Sequence, residues 1–278
     1  YIKSDVGEVV LSGFSILFVD ELKKSFPNIR FIMWMHSNAN VYLKTYFKYE
    51  YNYLISSMKS ADKLIVLNTK DKKEYENYSE NVVLIPNPVT IKNENKKSLL
   101  NSKNILIVSR ITIFAKGLDY LVEIATKIPD DWKINLIGGG NKSEIRRLKN
   151  LIKKSNVEDK LVLIGAKTSD ELAEYYENAS IYLSTSRWEG FGLVLVEAMQ
   201  FGLPIVSFRH LGAIDILENG RYGMLVNQGD VEQFADYLNQ LILNENMLHK
   251  MQTLSLERVN KYSPNKIKSE WKNMILEK

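Results

Sequence analysis

The sequence of 278 residues contains no cysteine, which excludes disulfides and thiolate metal ligands and fits a reducing compartment. No run of about 18 apolar residues occurs, so there is no candidate for a membrane-spanning helix. An excess of one charge is also lacking. The 37 Lys and Arg against 33 Asp and Glu leave a net charge of +4, and the lysines are scattered among acidic residues. A nucleic-acid surface is therefore not indicated, while a weak, peripheral attraction to anionic lipid stays compatible. The dinucleotide fingerprint G-x-G-x-x-G is missing after every strand candidate, which argues against a nicotinamide oxidoreductase. Nothing near Tyr1 resembles a signal peptide, and a chain opening on Tyr1 is expected to be a fragment. The oligomeric state is not legible.

What is present is a hydrophobic content of 45%, enough for one large or two modest cores. Strand-like runs at 8–11, 29–35, 63–67, 82–85, 104–109, 133–137, 161–164, 181–183, 205–208 and 222–226 alternate with helical patterns. That alternation predicts an α/β fold with parallel sheets and right-handed crossovers. Between 41 and 60 tyrosines recur at helix-compatible spacing, Tyr46, Tyr49 and Tyr53 among them, and most are expected in core and interface, the alternative being an exposed aromatic surface beside Lys44 and Lys48 open to an acceptor. The polar segment 92–103 reads as a linker. After Ser263-Pro264, a last amphipathic helix is expected over 265–276, with Ile267, Trp271 and Ile275 on one face.

The most informative stretch runs from 186 to 204. A β-rich lead enters a loop containing Gly190 and Gly192, and residues 193–201 then read as a short helix closed by Gly202 and Pro204. The first turn of such a helix presents unpaired N–H groups and partial positive charge, which favour an anion. Glu189 lies just before the helix and Glu197 about one turn into it, so two carboxylates can approach one ligand from different sides. Arg110 and Lys116 follow the strand at 104–109, and a guanidinium fork with a mobile ammonium suits a diphosphate. His36 stands at the end of the strand at 29–35, where ligands of open α/β sheets bind. His210 and His249 have no such context and read as structural or surface residues.

Glu189-Gly190-Phe191-Gly192-Leu193-Val194, continuing to Glu197-Ala198-Met199, resembles the E-x7-E signature of the retaining glycosyltransferases of family 4. The spacing Arg110-x5-Lys116-Gly117 and the turn Pro86-Asn87-Pro88-Val89 are similar to further segments of that family. The resemblance implies two facing Rossmann-like domains (the GT-B fold), the N-terminal one incomplete. The implied division is 1–95 for the partial acceptor-side domain and linker, 96–263 for the nucleotide-sugar domain, and 264–278 for a helix returning to the first domain. The segment expected to be missing carries an opening strand and a glycine-rich loop.

The resemblance further implies transfer of a hexose from a nucleotide-diphosphate sugar to a glycan or lipid-linked acceptor in surface polysaccharide or glycoconjugate biosynthesis. The expected setting is cytoplasmic, at or near the inner face of the membrane. Arg110, Lys116 and the helix start at Leu193 and Val194 would hold the diphosphate, Glu197 the ribose, and the turns at Gly139 and Ala166 the cleft wall and the base. Glu189 with Gly190, Phe191 and Gly192 would orient the donor sugar, with His36 facing it across the cleft. No cofactor and no metal are expected. A UDP-sugar is expected ahead of a GDP-sugar, although no residue distinguishes uracil from guanine. The alternative reading is a catalytically inactive nucleotide-sugar-binding or regulatory partner of a transferase.

Overall fold

The computed structural model describes residues 7–93 and 96–276. The chain divides into two units, one formed by Tyr1–Asn87 with Ile267–Lys278 and the other by Pro88–Lys266. The residues around Tyr1, read above as a fragment's start, lie outside the described ones, as do two positions of the expected linker.

The first unit is built from β1 (Glu8–Leu11), a 3-10 turn (Gly13–Phe18), α1 (Val19–Ser25) and β2 (Arg30–Trp34). It continues through α2 (Ala39–Val41), a wide π turn (Tyr42–Tyr46), α3 (Tyr51–Ser60), β3 (Lys63–Val66), α4 (Thr69–Tyr75) and β4 (Val82–Leu84). The four strands pair in the order β1-β2-β3-β4, all parallel. Period-two alternation sends successive side chains of β2 to opposite faces. Phe31 and Met33 enter one core with Leu54, Met58, Leu64 and Val66. Ile32 enters a second core with Ile65, Ile85, Ile267 and Met274. Both faces are covered, which is why β2 reads as a continuous apolar run.

The second unit contains β5 (Asn104–Val108), α5 (Leu118–Ala125), β6 (Lys133–Ile137), α6 (Lys142–Lys154), β7 (Leu161–Gly165), α7 (Ser169–Glu177) and β8 (Ile181–Ser184). Then come α8 (Leu193–Gln200), β9 (Ile205–Phe208), α9 (Leu211–Ile216), β10 (Met224–Val226), α10 (Val231–Leu243), α11 (Glu245–Val259) and the start of α12 (Pro264–Leu276). Its six strands are ordered β10-β9-β8-β5-β6-β7 and all run parallel. From β5 the chain moves outward through β6 and β7, returns, and moves the other way through β8, β9 and β10. The order reverses between β5 and β8, and a doubly wound sheet opens a crevice outside the carboxyl ends of such a strand pair.

Three expectations need correction. The segment at 41–60 is not one helix: the break at residues 47–50 puts the ring of Phe47 into the core, while Tyr46, Tyr49 and Tyr53 are 59%, 90% and 64% exposed. Their helical spacing carries no common face once the helix is interrupted. The polar segment expected as a linker packs on the second unit. There the Ser98 N–H donates to Phe201 O at 2.9 Å, the Asn93 amide donates to Gln200 O at 2.9 Å, and Leu100 is buried. The division falls earlier, between Asn87 and Pro88. In α12, Met274 is buried and Ile275 is 39% exposed, because Ile267 and Met274, seven residues apart, share one stripe.

Candidate functional site at the strand-order reversal

The loop leaving β5 carries Arg110 and Lys116, and the loop leaving β8 carries Glu189. Each loop is held by backbone contacts that leave no room for a side chain. Gly138 has φ +150°, and a Cβ there would stand 1.8 Å from Ser109 O; Gly117 has φ +57°, and its Cβ would stand 2.0 Å from Thr185 O. The Thr185 hydroxyl donates to Lys116 O at 2.8 Å, the Ile111 N–H to Gly139 O at 2.8 Å, and the Ile113 N–H to a Glu144 carboxylate oxygen at 2.7 Å. The two loops therefore lie against each other at the reversal.

Between them, Lys116 Nζ donates to Glu189 Oε1 at 2.5 Å, both side chains being mostly buried, and the Ser186 hydroxyl donates to the same oxygen at 2.8 Å. Arg187 anchors the β8 loop through paired bonds to Asp119 at 2.6 and 2.7 Å, with its guanidinium 3.9 Å from the centre of the Tyr120 ring. Arg110 is exposed. Its guanidinium has no ion pair among the described residues, so its donors stay available.

Helix α8 starts at Gly192 in a left-handed conformation (φ +92°) without a side-chain cap. By contrast α4, α6, α7, α9, α10 and α11 are each capped by an Asn, Thr, His or Asp side chain. The N–H groups opening α8, at Leu193 and Val194, consequently point their partial positive charge outward. The Phe191 ring is buried edge-on to Tyr262, and a Cβ on Gly212 would lie 1.7 Å from Phe191 O. The loop Gly190-Phe191-Gly192 can thus offer backbone, not the aromatic ring, to a ligand.

Glu197 is half-buried, and burial pushes its carboxyl above the usual carboxylate range. Its Oε2 accepts from Tyr176 OH at 3.0 Å and its Oε1 from the Thr90 hydroxyl at 3.1 Å. Gly139 and Ala166 are brought together, with a Cβ on Gly139 falling 3.5 Å from Ala166 Cβ. His36 belongs to the first unit, and the other candidate residues belong to the second. Its ring lies tilted at 45° against Trp34 with the centroids 4.3 Å apart, Trp34 in turn meets Trp271 edge-on, and burial holds the His36 pKa below the ordinary value. The loop after His36 is fixed by Asn38 Oδ1 accepting from Val41 N and by Asp71 Oδ1 accepting from Ala39 N, each at 2.9 Å.

Residue patterns passed over several participants. Thr90 and Tyr176 are distant in sequence from Glu197, and only packing joins them. Glu144 had a local signal: Asn141-x-x-Glu144 reads as a capping box. In the structure Asn141 does cap, but the glutamate reaches Ile113 N instead of returning to the cap. His210 was read as structural or surface. It is buried, accepts from Ala213 N through Nδ1 at 3.1 Å and lies 3.3 Å from the Ser184 hydroxyl through Nε2. Among the described residues no group of three or more His, Asp or Glu side chains could hold a metal ion.

Residues 90–255 match the family described as Glycosyl transferases group 1. The chain belongs to that family. An uncharacterized glycosyltransferase of Haemophilus influenzae is 33% identical over 274 residues, covering 96% of this chain and 75% of its own length. The amylovoran biosynthesis glycosyltransferase AmsD of Erwinia amylovora is 27% identical, over 77% of this chain and 62% of its own. A crystal structure of a variant of S. aureus TarM in complex with Fondaparinux, alpha-GlcNAc-glycerol and UDP superposes with a TM-score of 0.77 at 26% identity, over 90% of this chain and 51% of that one. The chain thus spans from three quarters down to about half of these relatives. The α/β class with Rossmann-like parallel sheets expected from the sequence is the architecture of the group 1 glycosyltransferase family.

Proposed function

We propose that this chain carries the donor site of a retaining hexosyltransferase. It would use a nucleotide-diphosphate sugar, a UDP-sugar ahead of a GDP-sugar, and a glycan or lipid-linked acceptor in surface polysaccharide or glycoconjugate assembly. The observation that carries the reading is the Lys116–Glu189 pair at the strand-order reversal, with Arg110, outside any ion pair among the described residues, on the same loop after β5 and the uncapped start of α8 following the loop after β8. That combination suits a diphosphate with a sugar attached. The names of the relatives, one assigned to amylovoran biosynthesis and one seen with UDP, support the same class.

In this reading Arg110, Lys116 and the N–H groups of Leu193 and Val194 neutralise the charge that gathers on the departing phosphate as its bond to the anomeric carbon breaks. Glu189, oriented by Lys116 and Ser186, holds the sugar hydroxyls, and Glu197 holds the ribose. Gly139 and Ala166 line the base through backbone groups. Retention is assigned to front-face attack: the acceptor oxygen bonds to the anomeric carbon, the carbon–phosphate-oxygen bond breaks, and the acceptor proton passes to the leaving phosphate. Calorimetry with UDP tests the site. Arg110→Ala and Lys116→Ala should each weaken binding at least about tenfold, roughly 1.4 kcal/mol, and unchanged binding in both would overturn the diphosphate assignment.

A further inference from the structure

Glu197 is the part of the site whose surroundings are most constrained. A glutamate's terminal torsion is broad and roughly two-fold, so a carboxylate reaching one vicinal diol with both oxygens needs its plane set from outside. Tyr176 supplies such a restraint. Its ring is fully buried, stacked at 5.4 Å and 10° on Phe201 and at 6.0 Å on Tyr182, and its hydroxyl donates to Glu197 Oε2 at 3.0 Å. The Tyr182 hydroxyl beyond it lies 3.4 Å from Val108 O, at the end of the strand that leads to Arg110. A phenylalanine would fill the same space without burying a hydroxyl that demands an acceptor. Thr90, by contrast, approaches Oε1 from an exposed position, where a ligand hydroxyl can take its place.

We infer that Tyr176 is a positioning residue for nucleotide recognition, orienting the Glu197 carboxylate so that the site selects a ribose diol over a deoxyribose. The inference rests on the assignment of Glu197 to the ribose. Tyr176 touches no ligand itself and acts through the carboxylate, from the buried side of α8. The exchangeable Thr90 hydroxyl is not needed for this selection.

The test is calorimetry of the intact chain with UDP and with its 2′-deoxy and 3′-deoxy counterparts, the ratio of dissociation constants being the readout. A hydrogen bond to a charged group gives an expected preference for UDP of about tenfold in the unaltered chain. Glu197→Gln should reduce that preference, and a variant that keeps it would overturn the ribose assignment. Tyr176→Phe should bring the ratio below about threefold with the thermal transition retained. If Glu197→Gln loses selection while a folded Tyr176→Phe keeps it, the positioning role is overturned and the ribose assignment stands. Thr90→Val, at an exposed site that does not endanger folding, should keep the preference within about twofold. Its collapse there would show that the selecting restraint is Thr90 and overturn the inference even if Tyr176→Phe did not fold.

Discussion

His210 sits fully enclosed behind the Gly192 loop, where a Cβ on Gly192 would come 3.4 Å from its ring. Burial lowers its pKa to about 4, with the nearby Glu189 opposing and Lys116 assisting. Because Nδ1 accepts from Ala213 N, the single proton of the neutral ring resides on Nε2, facing the Ser184 hydroxyl. The folded state therefore prefers the neutral ring, while the unfolded state takes a proton near the ordinary value of 6.5. Stability from this group is fully present above that value and is lost as pH falls toward about 4. Urea unfolding at pH 7 and pH 5 should differ by about 2 kcal/mol from this residue alone. His210→Asn keeps a helix cap and should remove that part of the difference. An undiminished pH dependence in the variant would show that other groups dominate.

At the scale of elements, α12 separates what periodicity promises from what packing uses. Ile267 and Met274 meet Ile32, Ile65 and Ile85 on one face of the first unit's sheet, and the rings of Trp271 and Trp34 meet edge-on with centroids 5.0 Å apart. Ile275 lies at the rim, where its backbone oxygen accepts from Arg30 at 2.8 Å. Met274→Ala should cost about 2–5 kcal/mol of the first unit's stability, and Ile275→Ala no more than about 0.5 kcal/mol. Chemical denaturation of the two variants checks the order, and equal losses would refute the assigned face. Helix α8 gives the complementary lesson. Its left-handed Gly192 start was foreseeable from Gly-Phe-Gly, whereas the absence of a cap and the burial of the Phe191 ring against Tyr262 were not. A one-dimensional pattern does not say which side of a loop faces another element.

At the scale of the molecule, the chain leaves the first unit at Asn87 and returns to it at Ile267. The last helix thus covers a sheet face whose strands lie some two hundred residues earlier. Removing residues 264–278 should uncover Ile32, Ile65 and Ile85. Hydrogen exchange should then show amides of β2 and β3 losing protection while those of β5 and β8 keep theirs. Equal protection in both forms would mean that α12 contributes little to that core. Among the described residues no helix is long and apolar enough to cross a membrane, in line with the sequence.

Strand and helix alternation, the strand candidates, and the E-x7-E and Arg-x5-Lys-Gly segments are local, because each rests on hydropathy or on residues that share one strand, loop or helix. They determined the α/β class and the family. Tertiary structure decided which of these meet. The strand order reversing between β5 and β8 joins Lys116 to Glu189 across 73 positions of sequence, and packing of the segment after Pro88 brings Thr90 to Glu197 across 107. Likewise the interrupted helix turned Tyr46, Tyr49 and Tyr53 outward although their spacing suggested a core face. The physical reason is that periodicity records one element's preference for burial, whereas the partner that buries it, or leaves it in water, is chosen by the folded chain as a whole.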